Sequence, residues 1–422
     1  MNSAIDILLL AAAAIPVLGF TGGKADSSFS EHLRITRELM DLVEQDPELR
    51  RLLETAIAQG AEQNPDPDTN PVRDLESFYA FADRVSYAMP WAISRYGKYD
   101  SLYTSIDQSM GCMYFVADQP LRELEDKGYY HNSLLYHEPF QSWFSSFVKE
   151  CGKFLSTRES WNPTFYRNAR KNRSFNLDGD LYESPSNWKS FNDFFARKLS
   201  DPSRRPIAFS EDDTVVVSPA DSTPQGFWHI DSDHRVIMDR DEEEAGVRIK
   251  TGTLNDVSVL LEGSQYAEAF HDGSLTHTFL DIDDYHRYHF PISGTVKEVR
   301  KIDQANVPGG VIIWDQKEAR YRAVFADRFG WQSLETRGIV IVETDSGGCA
   351  AVVPIGMCQV SSVNFEETVK PGARVKKGDS LGYFLFGGSD IVMIFSKDLA
   401  FHLTVVPKVH VRMGEKIGTT KK

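Results

Sequence analysis

The 422-residue chain has only four cysteines, Cys112, Cys151, Cys349 and Cys358, and no C-x-x-C pair. That scatter excludes a disulfide-stapled scaffold and a cysteine-rich zinc module, and it fits a reducing compartment, so a cytoplasmic location is expected. Basic side chains are in deficit too: 46 Lys and Arg against 61 Asp and Glu leave a net charge of −15. A phosphate-backbone binder needs the opposite balance, and nucleic acid is not an expected partner. A long apolar run is also missing. The most apolar stretch, Ile7 to Phe20, is interrupted by Pro16 and falls short of the ~20 residues that span a bilayer. Asp6 precedes it and the first basic residue, Lys24, follows it, the reverse of a secretory signal. It is expected as a buried or surface-lying helix, with a peripheral membrane contact left open. Internal repeats and low-complexity tracts are absent. What remains, 41% hydrophobic and 25% charged, is ordinary globular protein with core enough for two or three domains.

From Glu31 to Gln59 apolar residues recur at helical spacing, clearest in Leu49, Leu52, Leu53, Ala56 and Ile57, and Gly60 stands where a helix C-cap would. Asn64-Pro65-Asp66-Pro67-Asp68 breaks that pattern, and Leu75 to Phe154 resumes as aromatic-rich helix. A polar interval from Arg170 to Asn187 reads as a loop between domains. Beyond Pro206 the texture changes to short β-branched runs, Val215 to Val217, Val311 to Trp314, Ile339 to Val342 and Ala351 to Ile355, set between Gly and Asp turns. Val369 to Asp379 reads as two strand ends around a tight turn, followed by Leu381 to Phe384. The expected class is α+β: a helical N-terminal region over residues 1–170, then a mostly antiparallel β-sandwich or barrel over residues 188–422.

Three segments carry chemical interest: Ser218-Pro219-Ala220-Asp221, Asp284-Tyr285-His286-Arg287-Tyr288-His289, and Phe386-Gly387-Gly388-Ser389-Asp390. Together they supply an acid, two imidazoles and a hydroxyl, the general means of activating a weak nucleophile. Taken singly, each matches an ordinary turn or a structural histidine, and the hydrolase elbow Gly-x-Ser-x-Gly is not matched. His271, His277, His286 and His289 are close in sequence. On an extended strand, however, side chains three apart face opposite ways, so no metal is assigned to them. His32, His131, His229 and His410 are read as structural hydrogen-bonders.

In this order the three segments resemble the phosphatidylserine decarboxylase family of pyruvoyl enzymes. Phe191-Asn192-Asp193-Phe194-Phe195-Ala196-Arg197-Lys198-Leu199 before Arg205-Pro206 is similar to the family's entry segment, and Val411 to Gly418 to its closing one. The resemblance covers Ser190 to Lys422. Upstream, Leu42 to Pro47 and Phe147 to Glu159 resemble, more loosely, the extension of a soluble tryptophan-decarboxylase branch. The resemblance implies self-cleavage between Gly388 and Ser389, giving a β chain ending at Gly388 and an α chain whose first residue, Ser389, becomes the pyruvoyl cofactor. It further implies that His289 is the base for Ser389, that Asp221 fixes and charges its imidazole, and that His286 serves the later decarboxylation. The implied partners are the two chains of its own proenzyme and an amine substrate, with oligomerisation left open.

Two positions depart from the family pattern. Asp390 stands where Thr or Ser is usual, and Ser222 where glycine is common. A carboxylate ~4 Å from the forming oxyanion, at an effective dielectric of ~20, opposes it by about 4 kcal/mol, or about a thousandfold in rate. The other outcomes are that Asp390 points away or assists proton transfer. Three rival functions follow. One is decarboxylation of a free aromatic amino acid such as tryptophan in place of phosphatidylserine. Another is a non-cleaving β-rich binding or carrier homologue, and the last a serine hydrolase using the same residues.

Overall fold

The computed structural model describes residues 32–89, 108–125, 127, 131–237, 255–304, 310–325, 329–358, 362–387 and 390–421. The apolar run from Ile7 to Phe20 and the Gly388-Ser389 pair lie outside those residues.

The helical spacing between Glu31 and Gln59 resolves into two helices, α1 (Arg34–Gln45) and α2 (Pro47–Gln63). Pro47 fits only a first helical turn, and Asp46 caps that turn by accepting from the Glu48 and Leu49 N–H groups at 2.9 and 3.0 Å. The expected stop at Gly60 is corrected: α2 continues to Gln63, and Gly60 is buried against Phe115 and Val116. A Cβ there would meet those two residues at 3.5 Å, an ordinary van der Waals contact, so the position is a packed helix interior rather than a helix end. Helices α3 (Leu75–Val85), α4 (Gln108–Ala117), α5 (Phe140–Leu155) and α6 (Pro163–Lys171) follow, then the single-turn α7 (Phe191–Phe195).

Among the described residues fifteen strands follow α7. In chain order they are β1 (Val215–Val217), β2 (Thr223–His229), β3 (Ser274–Phe279), β4 (Arg287–His289), β5 (Gly294–Ile302), β6 (Gly310–Asp315), β7 (Arg320–Phe325) and β8 (Thr336–Glu343). The rest are β9 (Cys349–Gly356), β10 (Asn364–Phe365), β11 (Arg374–Val375), β12 (Ser380–Tyr383), β13 (Asp390–Phe395), β14 (His402–Leu403) and β15 (Lys416–Thr419). A seven-stranded sheet of order β11-β5-β8-β9-β13-β3-β2 is antiparallel throughout. Smaller sheets, β1-β15-β14, β10-β12-β4 and β6-β7, complete the β-rich part. The α+β class and each β-branched run named above are therefore found.

Period-two alternation gives the large sheet two apolar faces. Leu275, Ile339, Ile341, Val353, Val392 and Ile394 face one core, which they share with helices α1 to α5. Val340, Val342, Val352, Ile391, Met393 and Phe395 face a second core, shared with α7, Tyr288, Phe290, Phe384 and Phe386. The sheet thus separates helices α1 to α4 from the histidine motif, while the end of α5 (Leu155) and α6 (Ala169) join the second core. Among the described residues no helix is long and apolar enough to cross a membrane.

Candidate active site

Strand β4 pairs with β12, with Tyr383 opposite Arg287 and Ser380 opposite His289. This register brings the histidine motif to the chain that runs on through Phe384 to Gly387. The His289 N–H donates to the Pro219 carbonyl at 2.8 Å, tying the Ser218-Pro219-Ala220-Asp221 loop to the same strand. The His289 ring is buried, and its Nδ1–H donates to the Gly378 carbonyl at 2.8 Å. That bond leaves Nε2 as an acceptor, which receives the Tyr285 hydroxyl at 3.3 Å. Burial depresses the His289 pKa and raises that of Tyr285, so near neutral pH the imidazole is a neutral base beside a protonated phenol.

His286 is fully buried, its ring stacked on Phe195 at 3.8 Å between centroids. Its Nδ1–H donates to the Asp284 carbonyl at 3.0 Å, and burial, aided by the Arg197 charge, holds its pKa well below the usual histidine value. Its backbone carbonyl accepts from the Phe384 N–H at 2.9 Å. Phe386, two residues on, meets Phe195 edge to face at 5.3 Å, and its N–H donates to Asn192 Oδ1 at 3.0 Å. The chain then turns at Gly387, whose φ of +103° is a conformation that favours glycine. Three of the four implied site residues are thus in described positions, with His286 and His289 against the segment that precedes the predicted cut.

Asp221 sits beside this pair without touching the ring. Its carboxylate accepts from Arg205 at 3.0 and 2.5 Å and from the Met413 N–H at 2.8 Å. The carbonyl of Gly378, rather than Asp221, orients His289, while the Asp221 charge raises the ring's basicity at longer range. Ser222, the first departure, fits a buried hydroxyl chain: it accepts from Thr278 Oγ1 at 2.7 Å and donates to the Ala220 carbonyl at 3.2 Å. Asp390, the second, is fully buried and shares its sheet face with Val392, away from Ile391. Its carboxylate receives His277 Nδ1 at 3.1 Å and Gln332 Nε2 at 3.0 Å.

The entry segment has a mechanical role that residue types alone did not reveal. Ser190 and Asp193 form a capping box that starts α7, whose Asn192 and Phe195 make the contacts above. Arg197, fully buried, donates to the Asp283 and Asp284 carbonyls at 2.8 Å each and so clamps the turn from which His286 projects. Tyr285, Arg205, His277 and Gln332 also belong to the site's surroundings. Of these, Tyr285 lay within one of the three chemical segments, Arg205 closed the entry segment and His277 belonged to the histidine cluster weighed for a metal, whereas Gln332 carried no signal at all. His410, read as structural, bonds Asp284 Oδ1 through Nε2 at 2.8 Å. Among the described residues no group of three His, Cys, Asp or Glu is set to hold a metal ion.

The family model for phosphatidylserine decarboxylase matches residues 191–419, which include α7 and all three motifs. The chain belongs to the phosphatidylserine decarboxylase family. Among relatives in this family, the phosphatidylserine decarboxylase proenzyme of Fusobacterium nucleatum is 29% identical over 302 residues, covering 68% of this chain and 90% of its own. Proenzyme 2 of Oryza sativa is 33% identical over 249 residues, 58% of this chain but 35% of the relative. Proenzyme 3 of Schizosaccharomyces pombe is 31% identical over 261 residues, 58% of this chain and 24% of the relative. The match therefore spans about a third and a quarter of these two longer family members.

Proposed function

We propose that the chain cuts itself between Gly388 and Ser389 and then acts as a carboxy-lyase, converting phosphatidylserine to phosphatidylethanolamine. The observation that carries this reading is the pair of neutral, buried imidazoles at β4, whose backbone pairs with the chain that runs on to Gly387. In the cut, Ser389 Oγ bonds to the Gly388 carbonyl carbon, the Gly388 C–Ser389 N bond breaks, and the hydroxyl proton ends on the departing nitrogen. His289 Nε2 is the proposed carrier of that proton, an assistance worth ~10²–10⁴-fold. Loss of the Ser389 Cα proton expels the Gly388 carboxylate, and uptake of water with release of ammonia leaves a pyruvoyl group amide-linked to Asp390.

The described residues suit such a group. Phe195, Phe384, Phe386 and Ile391 are buried beside the imidazoles and exclude water, while Asp390 turns its charge to the opposite sheet face. Once formed, the ketone supplies an electron sink for an amine substrate that loses CO2. His286, neutral and fixed by the Asp284 carbonyl, is the proposed proton donor to the carbon left behind, after taking up a proton in turnover. Asp221, paired with Arg205, is the proposed charge that favours the protonated form of His289 at longer range.

A denaturing gel with intact mass tests the first step: the wild-type chain is expected as two pieces, of 388 and 34 residues from the 422, with the small one blocked to N-terminal sequencing. Ser389→Ala and His289→Ala are expected to remain full-length. Release of CO2 from phosphatidylserine, compared with free tryptophan, tests the second step. A wild-type chain that stays whole on long incubation and releases no CO2 from either substrate overturns the proposal.

A further inference from the structure

A cavity of about 610 Å3 opens beside the candidate active site, between the end of α5, the segment 183–198 and β12. Leu385, Asn192 and Arg287 line it, which places it against both arms of the site. Asn192 holds the Phe386 N–H, and Arg287 follows His286 in the chain. Two residue steps along the chain, at most about 7 Å, take Leu385 to Gly387. Seven of the fourteen lining residues precede residue 191, where the family match begins, so half of the wall lies outside the matched region.

Its charge is unlike that of the rest of the molecule. Arg158, Lys189, Lys198 and Arg287 line it against only Glu183 and Asp193, in a chain of net charge −15. The two carboxylates are occupied locally. Glu183 accepts from the Lys198 N–H and from Asn187 Nδ2, both at 2.9 Å, and Asp193 accepts from the Lys189 and Ser190 N–H groups at 2.9 and 3.0 Å. Arg287 is paired with Glu366 at 2.8 Å, and Lys189 Nζ donates to the Ser186 carbonyl at 2.5 Å. Arg158 and Lys198, both exposed, form no side-chain ion pair among the described residues. The cavity therefore offers two uncommitted cations and neutral donors, the surroundings that suit a phosphate oxygen.

Resting on the proposed decarboxylation, we propose that this cavity binds the phosphodiester of a glycerophosphoserine head group, with Arg158 and Lys198 as its principal contacts. A free amino acid carries one anionic group, the carboxylate that departs as CO2. A phosphatidylserine head carries a second, joined to the reacting carbon through only a methylene and an oxygen. A cationic chamber lined by Leu385, four residues before Ser389 in the chain, gives that second anion a place, and its charged wall is a poor seat for an indole.

Calorimetric titration of the uncleavable Ser389→Ala proenzyme tests the assignment without depending on turnover. Glycerophosphoserine is expected to bind, inorganic phosphate to compete with it, and free serine to bind without competition from phosphate. Arg158→Gln with Lys198→Gln is expected to weaken glycerophosphoserine at least about tenfold at an unchanged thermal midpoint. In the processed enzyme the same pair is expected to raise KM for a short-chain phosphatidylserine more than it lowers kcat. Unchanged glycerophosphoserine affinity in the double variant overturns the proposal. So does loss of inorganic phosphate binding alone, which marks a free-anion site. Failure of self-cleavage in the wild-type chain strikes the decarboxylase reading instead and leaves this binding result readable.

Discussion

Asp390→Ala is the sharpest test of how the chain accommodates a carboxylate beside its cleavage serine. The side chain is fully buried and accepts from His277 Nδ1, Gln332 Nε2 and its neighbour's Ile391 N–H at 3.0 to 3.1 Å. Alanine strands the Gln332 amide and the His277 Nδ1–H, in a pocket where His277 Nε2 is already without a hydrogen-bond partner. Each buried bond left unmade costs about 1–3 kcal/mol, so for two of them a loss of about 2–6 kcal/mol is expected. With an m-value of ~3 kcal/mol/M, the urea midpoint falls by about 1 M, measured in a Ser389→Ala background so that cleavage does not intervene. Asp390→Asn keeps an acceptor for His277 and is expected to lose less. Its cleavage rate, followed by gel with Ser389 restored, is expected to stay on the order of the parent's, because the carboxylate already faces away from Ile391. Acceleration by about a thousandfold, the release of a 4 kcal/mol repulsion, at undiminished stability, is the result that refutes this reasoning.

Phe195→Ala removes the ring stacked on His286 and the edge-to-face partner of Phe386. A loss of about 3–5 kcal/mol by denaturant titration and slower cleavage on a gel are expected. Arg197→Met abolishes the clamp on the Asp283 and Asp284 carbonyls and is expected to slow cleavage at 25 °C while far-UV circular dichroism still reports a folded chain; cleavage at the parent rate contradicts the clamp. Because the native pKa of His286 lies well below 6.5, between the two values the unfolded chain holds a proton there that the native chain lacks. The stability this histidine contributes is therefore complete above pH 6.5 and is lost as pH falls, at about 1.4 kcal/mol per unit. Urea titrations from pH 7 to 5 are expected to show a shallower decline in His286→Gln than in the parent, and parallel declines refute it.

Much of the site was legible because its chemistry is written in contiguous residues. Asp221, His286, His289 and the Gly388-Ser389 pair each lie in short segments whose order alone pointed to the family. The strands were legible for a similar reason, since runs such as Ile339 to Val342 are buried on both faces of a central sheet and read as unbroken β-branched stretches. Helix limits were less so. A periodicity count passes over Asp46-Pro47, and it cannot see that Gly60 is buried within α2 against Phe115 and Val116, three residues before the helix ends.

What the sequence by itself determined is the inventory: an acidic chain with helices first and antiparallel strands after, and one acid, two imidazoles and one hydroxyl in family order. Tertiary structure alone decided which atoms each group meets. The ring of His289 is held by Gly378, 89 residues away, and Asp390 turns to His277, 113 residues away. Side-chain orientation on a strand follows a two-residue alternation, but the partner across the sheet is chosen by register, and register is set by burial of both faces at once. A carboxylate one residue from a reacting serine is for that reason repulsive or harmless according to which core its strand shows it to, a choice made by the whole sheet.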